Sequence, residues 1–193
     1  NPAADADSLR AGTDNWQGGA PRLLPVPHGG LFRGSGPDVK SRMKKLRYSV
    51  TINAPVQDVW TTMLSDATYR EWASVFSSGS YYEGDWNQGS EIRFLGPDGE
   101  GSLGGMIATV EENRPNEFIS LRYVGQIVNG EDDTTSEAAK AFMGAHEKYA
   151  FSAAGGVTTV DVELDSEDEF VAMFDDAWPL ALDKLKEIVE ARS

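Results

Sequence analysis

One long apolar helix, arriving after a run of strands, constrains this chain more than any other feature. It lies in FVAMFDDAWPLALDKL, from Phe170 to Leu185, and carries Pro179 in its middle. Phe170, Phe174, Ala177, Trp178, Ala181, Leu185 and Ile188 recur at roughly helical spacing, with Met173, Leu180 and Leu182 beside them. A proline inside a helix removes one backbone hydrogen bond and costs about 3 kcal/mol. A use for it follows if this helix is the sole cover of a sheet. A bend lets the C-terminal half pack on the sheet while the N-terminal half leans away over a cavity. Fitting the helix to a twisted sheet is the simpler alternative.

The strands precede it. LRYSVTI alternates Leu46, Tyr48, Val50 and Ile52 with polar residues, the pattern of a half-buried strand. NAPVQDVWTTML predicts a helix opened by Pro55, and DATYREWA a second short one. SYYEG, SEIRFLG, GGMIATVEE, FISLRYVGQIV, KYAFSAA and TTVDVELD then read as strands, separated by Gly-, Pro-, Asn- and Asp-rich turns. Short separators favour antiparallel neighbours. NGEDDTTSEAAKAFMGA is longer and polar, with one helical turn expected around Ala138–Met143. Ser166 with Glu169 three residues later has the spacing of a capping box for the final helix. The order predicts an α+β domain: six or seven antiparallel strands, two short helices after the first, and one long helix at the end.

Residues 1–42 do not share this patterning. They hold five of the nine prolines and seven of the twenty glycines and show no period of 2 or 3.6. They are expected to be disordered or extended. MKKLRYSV at Met43 reads as an ordinary translation start running into a strand, so this leader is expected to be foreign to the natural chain. A natural extension is the alternative. The folded domain is then 43–193. The leader carries five basic and four acidic residues, so the domain's net charge is −15 against −14 for the whole chain. Such a field disfavours nucleic acid and anionic membrane as partners. No run of eighteen apolar residues predicts a membrane span. Cysteine is absent, which removes disulfides, thiol nucleophiles and cysteine-bound metals. With no signal-peptide pattern at the N-terminus, a cytoplasmic location is expected.

VTINAPVQDVWTTMLSDATYREW, EGDWNQGSEIRF, GGMIATVEENRPNEFISLRY and the closing helix together resemble the START-like (SRPBCC) superfamily. Within it they are most similar to the heat-shock-protein-90 ATPase activator homologue-like family, over Tyr48–Glu190. The resemblance implies the helix-grip fold, a curved sheet gripping the C-terminal helix with a deep apolar cavity between them. It also implies varied uses of that cavity: binding of lipids or hormones, polyketide cyclisation, and chaperone activation. A fold alone does not choose among them.

Strand parity nominates the side chains that face such a cavity. They are Met106, Ala108 and Val110; Ile119, Leu121 and Tyr123; Glu147, Tyr149 and Phe151; and Thr158, Val160, Val162 and Leu164. Trp72, Phe76, Tyr81, Phe94, Phe174 and Trp178 join them as aromatic candidates. The expected ligand contacts are Trp72, Phe76, Tyr81, Phe94, Met106, Tyr123, Tyr149, Phe174 and Trp178, suited to a flat apolar molecule. Packing as ordinary core is the alternative for each. Glu147 is the one weak catalytic candidate. Parity puts its carboxyl beside Tyr149 and Phe151, where burial would raise its pKa and suit acid–base work. A place at the strand end in solvent is the other reading. Arg122 falls on the opposite face.

His146, the domain's single histidine, has no second histidine or cysteine to complete a metal set, so no metal site is expected. The acidic DSEDE reads as helix-start electrostatics, and GPDGEG links strands rather than opening a phosphate-binding helix. No serine stands in a nucleophile elbow, and no cofactor is implied. Trp86, in the polar turn GDWNQG, is assigned a structural or rim role. The leading expectation is a binding module for a small apolar ligand. An enzyme of cyclase or hydrolase type, and an activator of a chaperone ATPase, are the alternatives. A homodimer and a chaperone partner are left open.

Overall fold

A computed structural model describes residues 43–193; the expected leader over residues 1–42 lies outside the described residues. Strand β1 (Lys44–Ile52) leads into helices α1 (Val56–Leu64) and α2 (Asp66–Trp72), and a short 3₁₀ turn at Ala73–Val75 follows. Then come β2 (Tyr81–Gly84), β3 (Glu91–Pro97), β4 (Leu103–Arg114), β5 (Phe118–Val128) and a three-residue β6 (Glu131–Asp133). Helix α3 (Glu137–Phe142), β7 (His146–Ala154), β8 (Val157–Ser166), a 3₁₀ turn at Asp168–Phe170 and α4 (Val171–Arg192) complete the chain.

The strands form one curved antiparallel sheet in the order β1-β8-β7-β5-β4-β3-β2, with β6 pairing the end of β5. The arrangement is the helix-grip fold. Pairing fixes which faces coincide: Leu46 lies opposite Leu164, Tyr48 opposite Val162 and Val50 opposite Val160. Two bulges help to bend the sheet. Val124 is the extra residue where Ile107 pairs Gly125 and Ala108 pairs Tyr123, and Glu111 is the extra residue between Val110 and Glu112. Between β3 and β4 the backbones crowd. A Cβ on Gly105 would stand 1.9 Å from the carbonyl oxygen of Phe94, so only glycine fits there.

The inner face carries the main core. Ile92, Ala108, Val110, Ile119, Leu121, Phe151 and Val160 from the sheet meet Ala181, Leu182, Leu185 and Val189 of α4, and Val59 and Met63 of α1. The outer face has a smaller cluster of Leu95, Ile107 and Ile127, with Tyr81 packed against it. Helix α4 runs unbroken through Pro179. Beyond the proline its apolar side chains Ala181, Leu182, Leu185, Ile188 and Val189 are buried. Leu180, beside the buried stripe rather than in it, is 59% exposed.

Two expectations are corrected. Ser166 does not cap the last helix. It remains in β8, its Oγ donates to the carbonyl of Glu167, and α4 starts only at Val171 after a turn of 3₁₀ helix. The polar segment after β5 carries the expected helical turn as α3, but its acidic start, expected as part of the loop, forms β6. Asn129 and Gly130 both take positive φ, at 53° and 79°, and make the tight turn that folds β6 back onto β5.

Candidate functional site

Between the inner face of the sheet, α2 and the first half of α4 lies a cavity of about 150 Å³. Every α4 residue that lines it precedes Pro179: Met173, Phe174, Ala177 and Trp178. The apolar side chains after the proline pack in the core, whereas those before it line the space. Half-buried Met43, Phe142, Phe170 and Met173 also line the space and mark its mouth.

Trp178 organises the covering side. It is 2% exposed, and its ring lies 4.9 Å from Phe76, 6.2 Å from Trp72 and 6.1 Å from Tyr149, centroid to centroid. Tyr48 stacks on it at 6.3 Å, and the Tyr48 hydroxyl donates to Asp175 Oδ1 at 2.7 Å, tying β1 to α4. The Trp178 indole N–H is buried without an acceptor. Trp72, by contrast, donates its indole N–H to the carbonyl of Met63 at 3.0 Å. The C-terminal carbonyl of α1 is held by two distant donors: Tyr82 Oη at 2.6 Å and Trp86 Nε1 at 3.0 Å both reach Leu64 O. Trp86 therefore clamps the β2–β3 connection to α1, a structural role in a polar turn.

At the polar end of the cavity stands Glu147. It is 9% exposed, so the solvent-facing alternative is set aside. The Tyr123 hydroxyl donates to its Oε2, and the Tyr149 hydroxyl also bonds its carboxylate. Burial pushes the Glu147 carboxyl above its ordinary pKa, and the two hydroxyls oppose that shift. Burial, then the nearby Glu147 charge, holds Tyr69, Tyr123 and Tyr149 above the usual phenol range, so all three remain protonated donors. Glu147 has no ion-pair partner among the described residues. Arg122 faces the other way and bonds Glu111 Oε1 at 2.9 Å. His146 is likewise outside the cavity, with Nε2 2.7 Å from Glu111 Oε2. Among the described residues no three His, Cys, Asp or Glu side chains are grouped to hold a metal ion.

The sequence-nominated residues Trp72, Phe76, Phe94, Met106 and Tyr123 line this space, as do Glu147, Tyr149, Phe174 and Trp178. Tyr81 does not. It pairs with Leu95 and packs in the outer cluster, with the Arg70 guanidinium 5.0 Å over its ring. Its neighbour Tyr82, opposite Phe94, is the tyrosine turned to the inner face. Two adjacent tyrosines in a four-residue strand carry no parity signal of their own, so only the pairing decides. Tyr69 was missed: it sits three residues before Trp72 on α2, lines the cavity and packs edge-on against that indole at 5.1 Å. The (i, i+3) spacing in DATYREW was the available signal.

The arrangement is an aromatic-walled space with the carboxyl group of Glu147, bonded by tyrosine hydroxyls, at its polar end. Its volume matches that of an engineered apolar cavity known to accept benzene, and is below the roughly 300–1,000 Å³ of drug-sized sites. In this conformation it suits one ring or a short chain.

The family model described as polyketide cyclase / dehydrase and lipid transport matches residues 43–190. Among solved structures, the chain is similar to the Aha1 dimer from Colwellia psychrerythraea, with 18% identity and a TM-score of 0.58 over 77% of this chain and 97% of that one. It is similar to a protein from Mesorhizobium loti at 12% identity and a TM-score of 0.59, covering 78% and 99% of the two chains. An AHSA1-like protein from Aeromonas hydrophila matches at 18% identity and a TM-score of 0.53, over 76% and 94%. No curated protein matches the sequence. At these identities the solved structures establish the shared fold. Among the described residues no helix is long and apolar enough to cross a membrane.

Proposed function

Because this chain belongs to the polyketide cyclase / dehydrase and lipid transport family, we propose that it holds a small apolar or aromatic ligand between sheet and C-terminal helix. One observation carries the reading: an unfilled space of about 150 Å³ persists among Trp72, Phe76, Phe94, Phe174 and Trp178, side chains large enough to have closed it. Interiors of this composition normally pack without such a void. The expected ligand contacts are Trp72, Phe76, Phe94, Met106, Tyr123, Tyr149, Phe174 and Trp178, with Tyr69 added and Tyr81 withdrawn.

The test is native mass spectrometry of freshly purified protein, with calorimetric titration of benzyl alcohol as a ring-sized probe. A retained mass, or saturable 1:1 probe binding, is expected. Absence of both would overturn the proposal.

A second reading rests on the hydrogen bond from Tyr123 to Glu147 inside the cavity. That pair is placed to exchange a proton with a bound molecule, as a cyclase or hydrolase needs. A substrate screen in which Glu147→Gln abolishes turnover while sparing binding would favour it. Activation of a chaperone ATPase draws on the resemblance in sequence and on the likeness to the Aha1 and AHSA1-like structures, and a pull-down with the chaperone tests it. Light scattering tests whether this chain forms a dimer, as the Aha1 protein from Colwellia psychrerythraea does.

A further inference from the structure

The charge of the cavity is one-sided. Three lining residues are acidic, Glu147, Asp165 and Glu167, and none is Lys, Arg or His. Asp165 is already engaged, by Lys45 Nζ at 3.1 Å and the backbone N–H of His146 at 2.9 Å. Glu167 sits near the mouth beside Glu169, the burial and the like charge both disfavouring its ionised form. Glu147 alone is deep and unmatched. It is nine-tenths buried, and its partners are hydroxyl groups. A buried carboxylate with no counter-charge is among the costliest groups an interior can hold.

The surroundings nevertheless favour its charged form where they can. Tyr123 from β5 and Tyr149 from β7 direct hydroxyls at Glu147, and a carboxylate accepts both where a protonated carboxyl must give up an acceptor site. Tyr69 from α2 is the remaining titratable neighbour, and it too stays neutral. Trp72, Trp178 and Phe94 line the same cavity, and aromatic ring faces attract cations. The chain as a whole carries −14, a field that raises the local concentration of cations and repels anions.

We propose that the cavity selects a small organic amine, bound as its ammonium ion with Glu147 as counter-ion and the aromatic rings around its apolar part. The inference rests on the ligand-binding reading above and sharpens it to a chemical class. Ligands bearing a carboxylate would bring a second negative charge beside Glu147 and are excluded by the same geometry. Neutral ligands would fill the apolar space but leave the carboxylate unmatched.

The test uses benzylamine, benzyl alcohol and benzoate, one ring with three end groups, titrated calorimetrically at about 0.15 M salt to screen the surface field. Benzylamine should bind at least about tenfold more tightly than benzyl alcohol, the gain expected of one charge-assisted contact, and benzoate should not bind. In Glu147→Gln the benzylamine affinity should fall to that of benzyl alcohol measured on the same variant, and continued saturable binding of benzyl alcohol reports an intact cavity. Equal or weaker binding of benzylamine in the unmodified protein overturns the amine proposal and leaves the ligand-binding reading standing. A preference for benzylamine that survives Glu147→Gln also overturns it. Failure of all three probes, with no retained ligand, removes both. Should Glu147→Gln fail to fold, the three-probe ranking on the unmodified protein still decides.

Discussion

Replacing Trp178 tests two roles that the structure assigns to one side chain. It is a wall of the cavity and a packed member of the core, 2% exposed among the rings of Tyr48, Trp72, Phe76 and Tyr149. Truncating a buried tryptophan to alanine costs about 3–5 kcal/mol. Part of that is returned here, because the indole N–H has no acceptor and its burial alone costs about 1–3 kcal/mol. Trp178→Ala should therefore destabilise by about 2–4 kcal/mol. At about 2–4 °C per kcal/mol for a domain of this size, the melting temperature should fall by about 4–16 °C. Trp178→Phe keeps most ring contacts and removes the orphaned donor, so it should lie within about 1 kcal/mol of the parent. Urea melts of the three proteins give the energies, and benzyl alcohol titrations give the effect on the cavity. Affinity should change in the alanine variant, which enlarges the space. If phenylalanine costs as much as alanine, the indole N–H has a partner and the argument from its isolation is wrong. If alanine leaves probe affinity untouched, Trp178 is core and no wall.

Pro179→Ala should restore a backbone donor to the carbonyl of residue 175 and shift probe affinity, since the helix residues over the cavity all precede it; unaltered affinity would mean that the proline serves only the fit of helix to sheet. Gly105→Ala should cost about 1–3 kcal/mol in a urea melt, because β3 must move to admit a methyl group 1.9 Å from the Phe94 carbonyl oxygen; a neutral result would show that the strands separate easily. Glu147→Gln should stabilise the ligand-free protein at neutral pH. Its carboxyl is raised above the ordinary 4.5 in the fold, so the penalty is absent below that value and grows as pH rises through it. Melting curves of parent and variant should converge near pH 4 and diverge by pH 7, with Tyr69, Tyr123 and Tyr149 remaining neutral throughout. A variant less stable than the parent at pH 7 would contradict the unmatched-charge account.

Strand alternation made much of the site legible. On β7 and β8, where residues pair without bulges, the nominated Glu147, Tyr149, Phe151, Val160, Val162 and Leu164 are all buried on one face. The two bulges, at Glu111 and Val124, lie beyond the β4 and β5 residues that were nominated, so parity held there too. Tyr81, nominated as an aromatic and not by alternation, turned to the other face: its strand is too short for a period, and the register comes from β3. The capping box at Ser166 failed because nine pairings already hold β8 to β1, through Ser166 itself, and local cap chemistry yields to a completed ladder. The hairpin at Asn129–Gly130 was readable, since Asn-Gly is a strong turn signal; the acidic run after it concealed the strand. The depth of Glu147 was not readable. Alternation gives a face, whereas burial depends on how far α2 and α4 extend across it.

The pairing of β1 with β8 has a consequence for how the molecule is made. Lys44 meets Ser166 and Ile52 meets Thr158, so the first of the described strands finds its partner only after the other seven described strands have been synthesised. At about 5–20 residues per second that wait lasts about 6–20 s. Meanwhile Leu46, Tyr48, Val50 and Ile52 present an unsatisfied apolar edge, the kind of segment that seeds misassociation. Lys44, Lys45 and Arg47 interrupt it with positive charge in an otherwise acidic chain. In the finished protein the same Lys45 and Arg47 grip Glu163 on β8 at 3.1 and 2.9 Å. The charges that keep the nascent strand apart from its own kind are thus the ones that recognise its late-arriving neighbour.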